Sequence, residues 1–546
     1  MGGKSDLVTR TWVIMLVLFF GCCVTTIAAA AVSQVAAQDQ IRIQCGYTRF
    51  PRLCVQTLSG LVSGERVDFA AALLLNKTIA HADLHIAHFD QLSSHFVSSQ
   101  PPQPRLQAIG YCEELMGMAR QRLNEALVAM KESPGKNRQE DIQTWLSAAV
   151  TFQQACKDWA DQYAFSDELF ARISRSMDYQ SQLASNALAL VNRNTEISAA
   201  GRQLSEEDID DDDDGGFFPD WVSGRDLRLL ETTTDKTKAN VVVAKDGTGN
   251  FRTVAEAIGA ASGRQRFVIY VKSGVYKEKI RSSKDGITLI GDGKYSTIIT
   301  WDDSVGGGSS LTGSATFGIT GDGFIAKDIG FQNTAGPGAH QAVALTVASD
   351  HSVFYRCSIS GYQDTLYALS LRQFYRECDI SGTVDFIFGN AAAVFQACNL
   401  VLRRPSSYNV ILANGRSDPG QNTGFSVQKC KITPGPDFSP VKNSYNSYLG
   451  RPWKPYSRAV VMESDIDGAI SARGWIEWPG TSSSSVRELY FGEYANVGAR
   501  GGLGGRVGWP GFHAMGKEEA EKFTVAKFID GNSWLPSTGI NFVPGL

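Results

Sequence analysis

Apolar residues recur with two different periods along this chain, and the change falls near residue 240. Between about residues 40 and 200 the spacing is i, i+3, i+4 on an Ala- and Leu-rich background, the mark of amphipathic helices. Asp68 to Phe96, Pro104 to Met130 and Ile142 to Trp159 each carry it. Four or so helices with short loops predict an all-α four-helix bundle, up-and-down, over residues 38–200. From Asn240 the texture is different. Short runs such as Phe267 to Val271 and Ile287 to Ile290 alternate with Gly, Asn, Asp and Ser, as buried strands punctuated by turns do.

The second half also repeats itself. Cys357, Ile359, Gly361 and Asp364 return 21 residues later as Cys378, Ile380, Gly382 and Asp385. The register continues to Cys398 after a further 20 residues and to Cys430 after 32 more. A period near this length marks a solenoid coil, too thin to fold alone and stabilised by stacking. The predicted fold for residues 239–546 is therefore an all-β domain, a right-handed parallel β-helix. A β-sandwich would not keep one register through four cysteines. In such a stack equivalent residues of adjacent coils lie roughly 4.8 Å apart. Asp364 and Asp385 should then titrate as a pair, one ionised and one protonated.

Between the halves, Glu206 to Asp214 is almost wholly acidic and is followed by Gly215 and Gly216. Such a run cannot bury apolar surface, which makes residues 201–238 a linker. Basic-leucine patches flank it, and Arg202 and Arg228 are the candidate processing sites. At the other end, Lys4 and Arg10 precede an uncharged stretch from Trp12 to Gln38. Residues 1–37 thus read as a signal peptide cut after Ala37, with an uncleaved membrane anchor as the alternative. Either places the chain in the secretory pathway, where the sequon Asn76-Lys77-Thr78 would be glycosylated.

Composition narrows the field further. From Asn240 onward 30 Lys and Arg face 26 Asp and Glu, far from the charge density of a nucleic-acid binder but compatible with an acidic polymer. Outside the leader the cysteines divide evenly. Cys45, Cys54, Cys112 and Cys156 precede the linker; Cys357, Cys378, Cys398 and Cys430 follow it. Even numbers in a secreted chain read as disulfides, and no cysteine has a partner at zinc-like spacing. His81, His85, His88 and His95 are better explained as a helix face than as metal ligands, because no acidic or Cys ligand recurs with them.

The candidate chemistry gathers around the aspartates. Arg451, in Leu449-Gly-Arg-Pro-Trp453-Lys454, can grip a carboxylate through two hydrogen bonds and keep it charged. Trp453 offers a flat face for a sugar ring. Gln341 lies 22 residues before Gln363, about one coil, so two stacked amides could donate to an oxyanion. There is no Gly-x-Ser-x-Gly elbow, and none of His340, His351 and His513 stands beside a Ser or Cys nucleophile. Acid–base work falls to the carboxylates.

Taken together, Gly361 to Tyr367, Gly382 to Asn390, Leu449 to Lys454, Gly274 to Glu278 and Gln341 to Leu345 resemble the signature set of plant pectin methylesterases. The N-terminal half is similar to the pectin methylesterase inhibitor domain, so the chain looks like a pro-enzyme. The resemblance implies a carboxylic ester hydrolase that removes C6 methyl esters from homogalacturonan, releasing methanol, without metal or organic cofactor. Asp385 would be the nucleophile and Asp364 the acid and base. Gln341 and Gln363 would stabilise the oxyanion, Arg451 would orient Asp385, and Gln341, Arg451 and Trp453 would bind substrate. It further implies disulfides Cys45–Cys54, Cys112–Cys156, Cys357–Cys378 and Cys398–Cys430. The expected setting is the cell wall, the expected partners methyl-esterified pectin and separate inhibitor proteins of the same class, and the expected state a monomer that binds no nucleic acid. Two positions depart from the family pattern: Leu311 stands where a substrate-contacting Thr is usual, and Leu227-Arg228-Leu229-Leu230 replaces an Arg-Arg-Leu-Leu processing motif. The alternative is a chain-cleaving glycosidase or lyase on the same fold, since paired carboxylates also suit a retaining glycosidase.

Overall fold

The protein is described here by a computed structural model that covers residues 38–59, 74, 76–80, 103–132, 138–164, 168–203, 239–263, 265–480 and 486–546. The leader, the four-histidine segment, most of Asp68 to Phe96, the acidic linker and Arg228 lie outside the described residues.

Four helices of the N-terminal half are followed in full: α1 (Pro51–Leu58), α2 (Gln103–Glu132), α3 (Gln139–Ala164) and α4 (Glu168–Gln203). Pro51 sits in the first turn of α1, where its missing N–H costs nothing. Glu140 and Asp141 occupy the first turn of α3, where negative charge complements the helix dipole. Leu115, Leu123, Phe152 and Leu183 of α2–α4 are fully buried between them. Disulfides Cys45–Cys54 and Cys112–Cys156 are formed, the second tying α2 to α3. Asn76 is exposed in a helical segment, whereas Thr78 of the same sequon is buried and hydrogen-bonded to the Leu74 carbonyl at 2.7 Å. Arg202 lies at the end of α4.

The C-terminal half is built of three parallel sheets of eleven, seven and eight strands. Each sheet takes one strand per coil, and consecutive coils pair in register, as Ser358 with Asp379 and Leu366 with Ile387. This is the parallel β-helix that the period of 21 predicts, not a sandwich. Aromatic side chains stack from coil to coil inside it: Phe354 on Tyr375 at 4.9 Å, and Tyr375 on Phe395 at 4.7 Å. Each such contact adds about 1 kcal/mol beyond the area it buries. One corner of the coil repeats a left-handed residue: Arg356, Glu377, Ala397, Lys429 and Glu463 all have φ between 50° and 54°. The next residue in each case, Cys357, Cys378, Cys398, Cys430 or Ser464, points into the core.

That corner corrects one expectation. Cys357, Cys378, Cys398 and Cys430 are buried free thiols, so neither Cys357–Cys378 nor Cys398–Cys430 is bonded. In-register side chains on parallel strands run side by side rather than converging, whereas a disulfide needs its Cβ vectors to meet. Cys378 instead accepts from the Cys357 amide at 3.4 Å and Cys430 from the Cys398 amide at 3.3 Å, and all four thiols donate to main-chain carbonyls. Ser464 plays the same part for the Cys430 amide at 3.0 Å. The column requires a small hydrogen-bonding side chain, and serine serves as well as cysteine.

Candidate active site

Asp364 and Asp385 occupy equivalent points of adjacent coils, each two residues before a strand of the seven-stranded sheet, Leu366–Ala368 and Ile387–Gly389. Both have left-handed backbones, φ 60° and 51°, a conformation that costs a non-glycine residue about 1 kcal/mol or more. The Asp364 amide donates to the Val384 carbonyl at 3.0 Å, which locks the two turns together. Gly382 makes that approach feasible. A Cβ there would lie 2.2 Å from the Phe386 Cβ and 2.6 Å from the Tyr362 carbonyl oxygen.

Arg451 reaches the pair from the strand Asn446–Pro452 of the same sheet. Its Nε donates to Asp385 Oδ1 at 2.8 Å and its Nη2 to Oδ2 at 2.6 Å. Both partners are nearly inaccessible to solvent, with side-chain exposures of 8% and 6%. Two residues that sequence reasoning missed hold the arginine in turn. Tyr408 accepts from Nη1 at 3.0 Å, and the Trp478 ring lies 4.1 Å from the guanidinium carbon. Neither belongs to a motif around Arg451; only the bundling of aromatics in Trp475 to Trp478 hinted at Trp478.

The two carboxyls are electrostatically unequal. Burial pushes Asp364 well above the ordinary carboxylate range, the Asp385 charge pushes it further, and Arg451 opposes only in part. Burial also raises Asp385, but there the Arg451 hydrogen bonds and charge pull back directly. Of the two, Asp385 is thus the carboxyl better held in its charged form, and Asp364 the one that more readily keeps a proton.

Gln341 and Gln363 are half-buried on adjacent coils, and the Ala342 amide donates to the Gln363 carbonyl at 3.2 Å. Among the described residues neither side-chain amide has a hydrogen-bond partner, so both remain able to donate. Trp453 stands edge-on to Phe388 at 6.1 Å, and Phe388 stacks on Tyr367 at 4.3 Å. These rings form an aromatic floor beside the aspartates. The sequence-predicted residues Gln341, Gln363, Asp364, Asp385, Arg451 and Trp453 are thus distributed along one face of the β-helix. Among the described residues no group of three His, Cys, Asp or Glu is placed to hold a metal ion.

The helical bundle packs on this same face. Residues of α2–α4 form one apolar cluster with Val343, Tyr367, Leu369 and Phe388 of the β-helix, with Leu311 and Trp453 packed at its edge. Tyr111 of α2 and Trp159 of α3 enclose, with Leu311, Tyr367 and Trp453, a cavity of about 90 Å³. Ion pairs surround the apolar contact: Arg122 with Asp322 at 2.7 Å, Asp141 with Arg372 at 2.7 Å, and Asp158 with Lys454 at 2.6 Å.

Comparison with known proteins decides what this assembly is. Residues 240–532 match the Pectinesterase family, and residues 39–190 match the family described as plant invertase/pectin methylesterase inhibitor. The chain belongs to the pectinesterase family. It is 46% identical over 514 residues to the "Probable pectinesterase/pectinesterase inhibitor 54" of Arabidopsis thaliana, covering 91% of each chain. It is 42% identical to "Pectinesterase 2.1" of Solanum lycopersicum, covering 92% of this chain and 90% of the relative. Among solved structures, the pectin methylesterase from carrot aligns with a TM-score of 0.56 and 50% identity, over 58% of this chain and 100% of the carrot chain. As a pectinesterase the protein is an ester hydrolase, and the chain-cleaving alternative is not favoured.

Proposed function

We propose that this pectinesterase removes the C6 methyl esters of homogalacturonan through a covalent intermediate on Asp385. The observation that carries the reading is the contrast between Asp385, clamped by Arg451 at both oxygens, and Asp364, buried one coil away without that clamp. A charged Asp385 oxygen attacks the ester carbonyl. Gln341 and Gln363 donate to the oxyanion that develops. As the C–O bond to the methoxy group breaks, Asp364 gives that oxygen its proton and methanol leaves. Water then loses a proton to Asp364 and attacks the acyl group, which frees Asp385 as a carboxylate and leaves the galacturonic acid, whose proton passes to solvent. Trp453 stacks on a sugar ring of the polymer.

The seat of the bundle supports a pro-enzyme. With α2 and α3 lying over Tyr367 and Trp453, a polymer cannot lie along the aromatic floor, so turnover follows removal of residues 1 to about 238, with Arg202 and Arg228 as the processing points. Secretion, an outcome of the leader, delivers the mature β-helix to the wall as a monomer, where separate inhibitor proteins of the bundle class are further partners. Asn76, exposed in the bundle, is the glycosylation site. Incubating the processed chain with highly methylated pectin tests the reading: methanol should appear without loss of polymer length, whereas new reducing ends or unsaturated products would overturn it.

A further inference from the structure

A second and larger cavity, about 420 Å³, opens where α3 and α4 meet the loop Arg416 to Asn422 and the C-terminal helical segment. None of Gln341, Asp364, Asp385, Arg451 or Trp453 lines it. Three arginines do. Arg372 pairs with Asp350 and Asp141, yet its Nη1 is buried without a partner, on a side chain only 2% exposed. Arg416 bonds to main-chain carbonyls alone, those of Gln421 at 2.9 Å, Tyr456 at 3.4 Å and Pro419. Arg458 does likewise, with Thr423 at 2.7 Å and Gln421 at 3.4 Å, and packs its guanidinium 5.5 Å from the Phe528 ring.

Carbonyls satisfy N–H groups but do not neutralise a cation, and two unneutralised cations in one desolvated wall repel each other. Burial accordingly lowers Arg416 to about 10 and lowers Arg458 as well, each without a carboxylate in ion-pair contact among the described residues. The lining sets five basic side chains, the three arginines with Lys522 and Lys527, against three carboxylates, Glu140, Glu519 and Asp530. Burial and the neighbouring Asp530 raise Glu140, which favours its neutral form, and Glu519 accepts from the Tyr490 hydroxyl at 2.5 Å. Lys522 and Lys527 stand exposed at the rim. The cavity therefore carries surplus positive charge, an unpartnered buried donor and room for a sugar-sized ligand.

We propose that this cavity binds a small oxyanion, and that a uronate sugar carboxylate is the occupant. The identity of the sugar rests on the proposed esterase activity, which generates such carboxylates; inorganic phosphate shares the required chemistry. Because α3 and α4 supply one wall and the β-helix the other, an occupant bridges the two and stabilises their docked state by mass action.

Titration calorimetry on the full chain tests this, with digalacturonate, its dimethyl ester and inorganic phosphate as probes, at low and high salt. Digalacturonate should bind, more weakly at high salt, and the neutral ester should not. The exposed rim double variant Lys522→Gln/Lys527→Gln should weaken binding severalfold, and Arg458→Gln about tenfold or more. Phosphate binding without digalacturonate binding would uphold the oxyanion site and overturn the sugar. No heat with either anion, equal binding of the ester, or unchanged affinity in the rim variant would overturn the site. The rim variant keeps the test decisive if Arg458→Gln fails to fold. Methanol release from processed enzyme reports separately on the esterase reading.

Discussion

Arg451 holds both oxygens of Asp385, at 2.8 and 2.6 Å, and Tyr408 and Trp478 leave the guanidinium little freedom to turn elsewhere. The arrangement favours the charged form of Asp385 over that of Asp364. Replacing Arg451 by Gln keeps a donor but removes the cation that offsets burial of Asp385. Its carboxyl should then ionise at higher pH, so the acid limb of the pH–rate profile moves upward while the alkaline limb, set by Asp364, moves less. Turnover should fall by about 100-fold or more. An acid limb that stays in place would show that Arg451 does not set the charge of Asp385.

Tyr408 and Trp478 act through Arg451 and not on the ester. Tyr408→Phe removes the acceptor for Nη1, so kcat should fall about tenfold with KM little changed, and the acid limb should shift slightly upward with it. A change in KM alone would assign Tyr408 to substrate binding instead.

Docking of the bundle depends on charge pairs between residues far apart in sequence. Arg122→Ala together with Asp158→Ala removes two of them, at a cost to docking of about 2 kcal/mol. The unprocessed double variant should release methanol severalfold faster than the unprocessed parent. Equal rates would mean that the bundle does not cover the cleft.

His351 gives a stability test with an opposite neighbour. Burial, with the Arg372 charge adding to it, lowers its imidazole to about 4 from an ordinary 6.5. The folded chain thus binds fewer protons than the unfolded chain between those values. The stability this supplies is complete above pH 6.5 and is lost as pH falls toward 4, by at most ~3 kcal/mol. Burial raises Asp322 to about 6, against the pull of Arg122, so that group gains stability over much of the same span as pH falls. Asp322 makes that contribution in both proteins, so relative to wild type His351→Gln should become more stable on acidification from pH 6.5 to 4. Parallel pH profiles in thermal melts of the two proteins would contradict the His351 assignment.

Backbone crowding at Gly382 yields a fifth prediction. Ala there meets Phe386 and the Tyr362 carbonyl, and the resulting shift should cost about 3 kcal/mol and lower the melting temperature by roughly 5 °C or more. A melt within error of wild type would show that the turn before Asp385 can relax.

The sequence revealed the coil because stacking demands it. Equivalent corners need left-handed residues and small inward side chains, so Cys357 and Cys378 advertise a register that Asp364 and Asp385 share. The motif around Arg451 was legible for a similar reason: bidentate contact needs an arginine on a fixed backbone. The state of the four cysteines was not legible, since serine at position 464 fills the same role and spacing alone does not orient Cβ vectors. Tyr408 and Trp478 were hidden because they meet Arg451 across coils. The bundle's seat on Tyr367 and Trp453 was equally hidden, because contacts such as Arg122 with Asp322 join residues 200 positions apart and leave no periodic trace.

The central claim is that Asp385 is the attacking group of a site held ready by Arg451. Methanol release by processed enzyme, parent against Asp385→Ala, tests it most directly when thermal melts confirm that the variant keeps its fold. The variant's rate should be lower by about 1,000-fold or more. A folded Asp385→Ala enzyme that still releases methanol at close to the parental rate would contradict it.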